Sequence, residues 1–386
     1  MCRVTAPGTR DRPAADACPG ISRPFTAADG AIVRVRPGGQ PVSVDALAEL
    51  IDIVATQTDP SLQLTSRAAL QLRGLPDPVP ADLRRAIAAT GLVPSQAHEL
   101  VRNVVASPLS GLDGLGRCDV RPLVRTLDAA LCADPRLARL PGRFLFVLDD
   151  GRGDVVRESF DVGLLALDAR RAAVLVGSPD RGFVVDLDDA PEAMVGVARR
   201  FVDARTAVAP GAWHVREIID QFEASAIDLR LSPEPARPVG AVGGHAVAAV
   251  PLGLLTRRHV DALSRLTDEV VVTPWRSLVV PGAATGLERL EEAGLVVDPE
   301  SPWLRLHACT GAPGCARTDL DTRGLARALA PTLPPGALPV HVSGCERRCG
   351  TPASAFVDVL TPRSVADALT AVAAATSPSF NIPEDR

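Results

Sequence analysis

DGAIVRVRPGG (29–39), VDALAELIDIVATQ (44–57) and LTSRAALQLRGL (64–75) follow one another closely, and their periodicities decide the fold. Apolar and basic residues alternate in AIVRVR (31–36), the pattern of a half-buried strand. Pro37-Gly38-Gly39 is a turn, and Ser43 is placed to cap a helix through residues 44–57. LQLTS and ALQLRG then read as two short strands around Arg67. The order is strand, helix, strand, with basic residues on the strands.

The same order returns later. HAVAAVPLG (245–253) is strand-like, RRHVDALSRLT (257–267) is helical, and EVVVTPWRSLVVPG (269–282) is strand, turn, strand. Aligning Thr65 with Thr273 sets TSRAAL beside TPWRSL, so the chain reads as two related halves. The expected organisation is an irregular lead-in at 1–28, a first half domain at 29–78 and a mixed α/β lobe at 79–227. A linker and second half domain follow at 228–299, then a second α/β lobe at 300–374 and a tail at 375–386.

Composition narrows the class. Of 386 residues 46% are hydrophobic and 23% charged, which is a soluble globular balance. There is no apolar run long enough for a membrane span, and the polar N-terminus lacks the apolar core of a secretory signal. A net charge of −5 provides no basic field for nucleic acid. We therefore expect a cytoplasmic protein with neither membrane nor nucleic-acid partners. The 41 basic residues are all arginine, so no ammonium group can act as acid, Schiff base or anion clamp.

Four of the eight cysteines cluster, in HACTGAPGCA (307–316) and HVSGCERRCG (341–350). In a reducing compartment such clustering points to metal or redox chemistry rather than disulfides. The C-x5-C and C-x3-C pairs, Cys309, Cys315, Cys345 and Cys349, suit a [4Fe–4S] cube with one thiolate per iron. Gly311, Gly314, Gly344 and Gly350 let the backbone wrap closely round it, and Arg317, Arg347 and Arg348 offset its charge. Zinc and free thiols are the competing readings, but a five-residue gap is wide for structural zinc. Cys18, Cys118 and Cys132 read as ordinary buried thiols, and Asp149 and Asp150 as turn residues rather than an acid/base pair. No G-x-G-x-x-G fingerprint follows a strand, so electrons are expected from a separate carrier.

This cysteine pattern resembles the cluster motif of the sulfite/nitrite reductase superfamily. VRNVVASPLSGLD (101–113) is similar to its RN-x-x-x-x-P-x-x-G segment and LPGRFLF (140–146) to its LP-[RK]-K-F segment. Within the superfamily, ACPGISRPF (17–25), DGAIVRVRPGG, LTSRAALQLRGL, FLFVLDDGRGD (144–154), VVVTPWRSLVVPG (270–282) and SGCERRCGTP (343–352) look most like the precorrin-3B synthase family of aerobic cobalamin biosynthesis.

The resemblance implies an α+β, pseudo-twofold architecture of two ferredoxin-like halves and two α/β lobes, the second holding the cube. It implies dioxygen-dependent hydroxylation of precorrin-3A at C20 with closure of a γ-lactone. A sirohaem-dependent sulfite or nitrite reductase is the first alternative, and a non-catalytic iron–sulfur or tetrapyrrole-binding protein the second. Arg34 and Arg102 match the superfamily's anion-binding arginines, and Arg67 its tetrapyrrole-contacting T-[TS]-R motif. The superfamily's lysine pair falls on Arg143 and Leu145, so one cation is replaced by an apolar side chain. Arg36, Arg73 and Arg276 complete the candidate tetrapyrrole-binding set, because arginine forks suit a polycarboxylate. Cys349 matches the cysteine that bridges cube and sirohaem iron, and it is a possible link to sirohaem or a second iron. His307 and His341 are possible ligands of that second iron, although hydrogen bonding is the commoner role of such histidines.

Overall fold

The computed structural model describes residues 16–57, 59–229, 237–334, 336, 338–352 and 354–376. Parts of the expected lead-in (1–15), linker (230–236) and tail (377–386) lie outside the described residues.

Two five-stranded sheets carry the duplication. The first runs in the order Phe25–Ala27, Gly30–Val35, Leu70–Leu75, Leu62–Leu64, Leu254–Leu255. The second runs Gly240–Val242, His245–Ala249, Ser277–Val280, Glu269–Val272, Val42–Ser43. The orders correspond strand for strand, and each half lends its short strand to the other. Leu255 pairs with Leu62, and Val42 with Val270. This exchange, which the sequence reading did not anticipate, locks the halves into a pseudo-twofold pair. The turns that align TSRAAL with TPWRSL also match, since Ala68 (φ 52°) and Arg276 (φ 57°) both adopt left-handed conformations.

Each half keeps its helix. Ser43 caps Val44–Val54 by accepting from the Ala46 amide, and Val44, Leu47, Leu50, Ile51 and Val54 bury one face. Thr256 and His259 form a reciprocal capping box at the start of Arg257–Leu263. The expected lead-in contains the edge strand Phe25–Ala27, and helix Val365–Thr376 reaches into the expected tail.

The first lobe is a six-stranded mixed sheet from Val104–Ala106 to Ser225–Ala226. Alternation along it divides two cores. Leu145 and Val147 join the main core with the half domains, whereas Phe146 and Leu148 face helices Arg121–Ala133 and Ala190–Ala207. The second lobe is smaller: three parallel strands, Leu306–Ala308, Val340–Ser343 and Val357–Leu360, packed on helices Thr322–Leu329 and Val365–Thr376. Among the described residues no helix is long and apolar enough to cross a membrane.

Candidate functional site

The two half-domain sheets differ on the face turned away from the core. In the first sheet Arg34 lies opposite Gln71, and Gln71 opposite Gln63. The equivalent registers in the second sheet are Val247, Val279 and Val271. There the face is apolar and is covered by Leu109 and Leu112 from the first lobe. The duplication therefore leaves one polar face and one face filled by the chain itself.

On the polar face Arg34 Nη2 donates to Gln71 Oε1 (2.8 Å) and Gln71 Nε2 to Gln63 Oε1 (2.8 Å). Gln63 Nε2 donates to Asp59 Oδ2 (3.1 Å), which also receives Arg323 Nη1 (2.6 Å) from the cysteine-bearing lobe. A continuous polar seam thus links the first half domain to the second lobe. The sequence reading did not single out Gln63, Gln71, Asp59 or Arg323. A glutamine between two core leucines, twice over in LQL, is the signal that marks the face.

Arg34, Arg67 and Arg143 come together at one end of this seam. Arg67 Nη1 donates to the Arg143 carbonyl (2.7 Å), and the Arg143 guanidinium stacks 5.2 Å from the Trp213 ring centre. Burial lowers the pKa of Arg34, and Arg67 and Arg143 lower it further. Burial lowers Arg67 as well, with Arg143 and Arg216 adding to the effect. Asp161 offsets part of this at Arg67, and the three guanidinium groups gathered here suit an anionic ligand. Cys18 is half-buried rather than buried and stands beside these arginines; burial and Asp16 push its thiol pKa up. Cys118 and Cys132 are likewise half-buried, and burial raises both.

The remaining predicted arginines stand elsewhere. Arg102 is committed to the fold: Nε and Nη2 grip Asp128 at 2.7 Å each, and Nη1 donates to the carbonyls of Arg36 and Leu92. Arg36 is buried, donating to Asn103 Oδ1 and to the carbonyls of Pro19 and Glu99, and burial lowers its pKa to about 10. Asn103 in turn donates to the Gly142 carbonyl, so the RN pair holds the segment that presents Arg143. Arg73 reaches the cysteine loop, and Arg276 donates to His307 Nδ1 (3.2 Å).

The cysteines surround the C-terminal ends of two parallel strands. Cys309 follows Leu306–Ala308 and its amide donates to the Val342 carbonyl. The Gly344 amide points at Cys309 Sγ (3.4 Å), and Thr322 Oγ1 lies 3.6 Å from the same sulfur. Burial raises the Cys349 thiol, and charge on Cys309, Cys345 and Cys315 raises it further. This donor set fits a cube: four thiols, an amide aimed at one sulfur, and arginines alongside. Among the described residues no three of His, Cys, Asp and Glu stand close enough to grip a single ion. A cube needs no such convergence, because each thiolate meets a different iron.

His307 and His341 face each other across the paired strands. Burial and Arg276 push them down to about 3 and about 4, so both rings are neutral. The Cys349 backbone approaches His341, yet neither ring nitrogen reaches hydrogen-bond geometry. A cavity lined by Gln40, Pro41, Asp119, Arg121, Arg125 and Glu269 contains none of the predicted site residues.

Asp149 accepts from the amides of Gly151, Gly153, Val155 and Val156 and so shapes the turn. Within that turn burial, and then the charge of Asp149, push Asp154 up to about 7. A carboxyl raised above its unfolded value of 3.8 holds its proton in the folded chain. Its stability contribution is present below about pH 4 and is lost as pH rises to about 7. Asp154→Asn should therefore be more stable than the parent at pH 8, on the order of 2–4 kcal/mol, and nearly equal to it at pH 4. Urea unfolding at both pH values checks this; an equal difference at both would refute it.

No family model matches the chain. Its sequence is similar to a precorrin-3B synthase of Sinorhizobium sp, 26% identical over 373 residues, spanning 87% of this chain and 78% of that one. It is also similar to a ferredoxin–nitrite reductase of Synechococcus elongatus, 24% identical over 387 residues, spanning 83% of this chain and 73% of that one. In fold it is similar to the NirA protein of Mycobacterium tuberculosis, with a TM-score of 0.60 and 20% identity over 82% of this chain and 68% of that one. With its reciprocally joined half-domain sheets, six-stranded lobe and cysteine-bearing lobe, the chain has a nitrite/sulfite reductase-like architecture.

Proposed function

We propose that the chain is a precorrin-3B synthase, hydroxylating precorrin-3A at C20 with dioxygen and permitting closure of the ring-A acetate to a γ-lactone. The observation that carries this reading is the Arg34, Arg67 and Arg143 cluster on the single polar half-domain face, joined to the likeness to the Sinorhizobium synthase. A tetrapyrrole precursor presents several carboxylates, and guanidinium forks bind carboxylates bidentately.

Gln71 holds Arg34, and the Arg143 carbonyl holds Arg67, so both guanidinium groups are oriented before a ligand arrives. They bind and do not donate protons, because an arginine keeps its proton even when burial lowers its pKa. Cys309, Cys315, Cys345 and Cys349 would hold a [4Fe–4S] cube, which when bound supplies electrons singly. One atom of dioxygen enters the product and the other leaves as water, with two electrons reaching the chain from a separate carrier. Sulfite or nitrite reduction is disfavoured because Leu145, the match to the second superfamily lysine, is buried in the main core and offers no polar atom. No lysine elsewhere replaces it.

Aerobic incubation with precorrin-3A, reductant and oxygen-18 gas, followed by mass analysis, tests the reading. Label should enter the product. Product formed equally well under argon, sulfite or nitrite turnover, or bound tetrapyrrole with no turnover would each overturn it. Arg67→Ala should weaken precorrin-3A binding about tenfold or more, the loss of one charge-assisted bidentate contact. An unchanged dissociation constant in the folded variant would count against the arginine cluster as the binding site.

A further inference from the structure

The first half-domain sheet is irregular where it carries Arg73. Val33 pairs with Leu72 but Ala31 pairs with Leu75, so one extra residue is accommodated around Arg73 and Gly74. Gly74 has φ 69°, as a bulge of this kind requires. Bulges re-aim side chains. Here the re-aimed residue is Arg73, which turns to the cysteine-bearing lobe.

Its contacts are specific. Arg73 Nε and Nη2 grip Asp29 at 3.1 and 2.9 Å, and Nη2 also donates to the Gly314 carbonyl at 2.6 Å. Both side chains are buried, with 7% of Arg73 and 3% of Asp29 exposed. Gly314 lies inside the C-x5-C loop, one residue before Cys315. A Cβ there would stand 3.0 Å from Asp29 Oδ2 and 3.2 Å from Arg73 Nη2, so the loop approaches the pair as closely as it does because residue 314 is glycine.

We propose that Arg73, aimed by the bulge and held by Asp29, is a positioning residue for the cluster loop: it fixes the Gly314 carbonyl, and with it Cys315, and keeps a buried positive charge at the edge of the cysteine site. This role differs from the tetrapyrrole contact that the sequence assigned to Arg73. The charge half of the proposal rests on the cube reading; the loop half does not. A cation beside a cluster favours its reduced form, and removing it moves the potential negative.

The test uses Arg73→Gln, Asp29→Asn and Arg73→Lys. In the cluster-free chain, alkylation is followed on the Cys315 peptide by mass spectrometry, with Cys132 as internal reference. Arg73→Gln and Asp29→Asn should label Cys315 at least about threefold faster than the parent, because the loop opens more often. Cys132 should label at the parental rate. In the cluster-loaded chain Arg73→Gln should have a more negative midpoint potential, and Arg73→Lys should restore the potential without restoring the slow labelling. Parental labelling of Cys315 in both Arg73→Gln and Asp29→Asn would overturn the proposal, as would a parental potential in Arg73→Gln. If Arg73→Gln does not fold, labelling in Asp29→Asn and Arg73→Lys decides. A parent chain that takes up no cluster would contradict the proposed function, while the labelling result would still decide the loop's anchor.

Discussion

Cys349→Ser is expected to lose nearly all the iron and sulfide that the parent chain takes up on anaerobic reconstitution. Cys349 is the most exposed of the four thiols, so its replacement perturbs packing least. Charge on each of the other three raises its thiol pKa. Serine keeps the shape and loses the thiolate, and a cube with one corner unligated opens to solvent and to further oxidation. The same loss is expected for Cys309→Ser, Cys315→Ser and Cys345→Ser. Full iron and sulfide in any two of the four variants would remove the cube from the account. Cys118→Ser serves as the control, because Cys118 lies outside this group and should keep the parental content.

Asp128→Ala is expected to cost about 3–5 kcal/mol, the largest stability effect of any substitution considered. It leaves the Arg102 guanidinium, 3% exposed, without its carboxylate. The carbonyls of Arg36, Pro37 and Leu92 remain as acceptors but cannot neutralise a buried cation. Replacing Arg102 and Asp128 together with leucine should cost less than Asp128→Ala alone, since no charge is then stranded. The shift in urea midpoint measures both. A double variant that costs as much as Asp128→Ala alone, or more, would show the pair to be worth more than its burial costs. Because Arg102 also fixes the backbone at Arg36 and Pro37, the single variant should weaken ligand binding only through the fold.

The halves were legible in the sequence because each keeps one strong helix signal and two strand signals in the same order. Ser43 before an apolar stripe is readable in one pass, and the turn at Arg67 aligns with the turn at Arg276. The exchange of short strands was not legible. Val42–Ser43 and Leu254–Leu255 are two residues each, too short for any period, and their partners are set by how the halves pack. The four clustered cysteines stand out in the sequence as one group because they form glycine-flanked pairs at C-x5-C and C-x3-C spacing.

The arginines were legible as a composition and not as a geometry. Seven were assigned to one ligand, and the structure gathers Arg34, Arg67 and Arg143. It commits Arg36 and Arg102 to the fold, and turns Arg73 and Arg276 to the second lobe. What separates them is register: Arg34 faces away from the core while Val33 and Val35 face into it, and a bulge one strand over re-aims Arg73. A bulge leaves only a glycine in the sequence, and a glycine after an arginine is too common to read.

In the proposed function the cysteine site and the arginine cluster are two ends of one polar seam serving a single bound tetrapyrrole. Electron paramagnetic resonance of the reconstituted, dithionite-reduced chain, recorded under argon with and without precorrin-3A, tests it most directly. The expected signal is that of one reduced cube per chain, altered when precorrin-3A is added, and altered only at much higher concentration in Arg67→Ala. A chain that takes up zinc and no iron, or a cube whose signal is unchanged by saturating precorrin-3A, would contradict it.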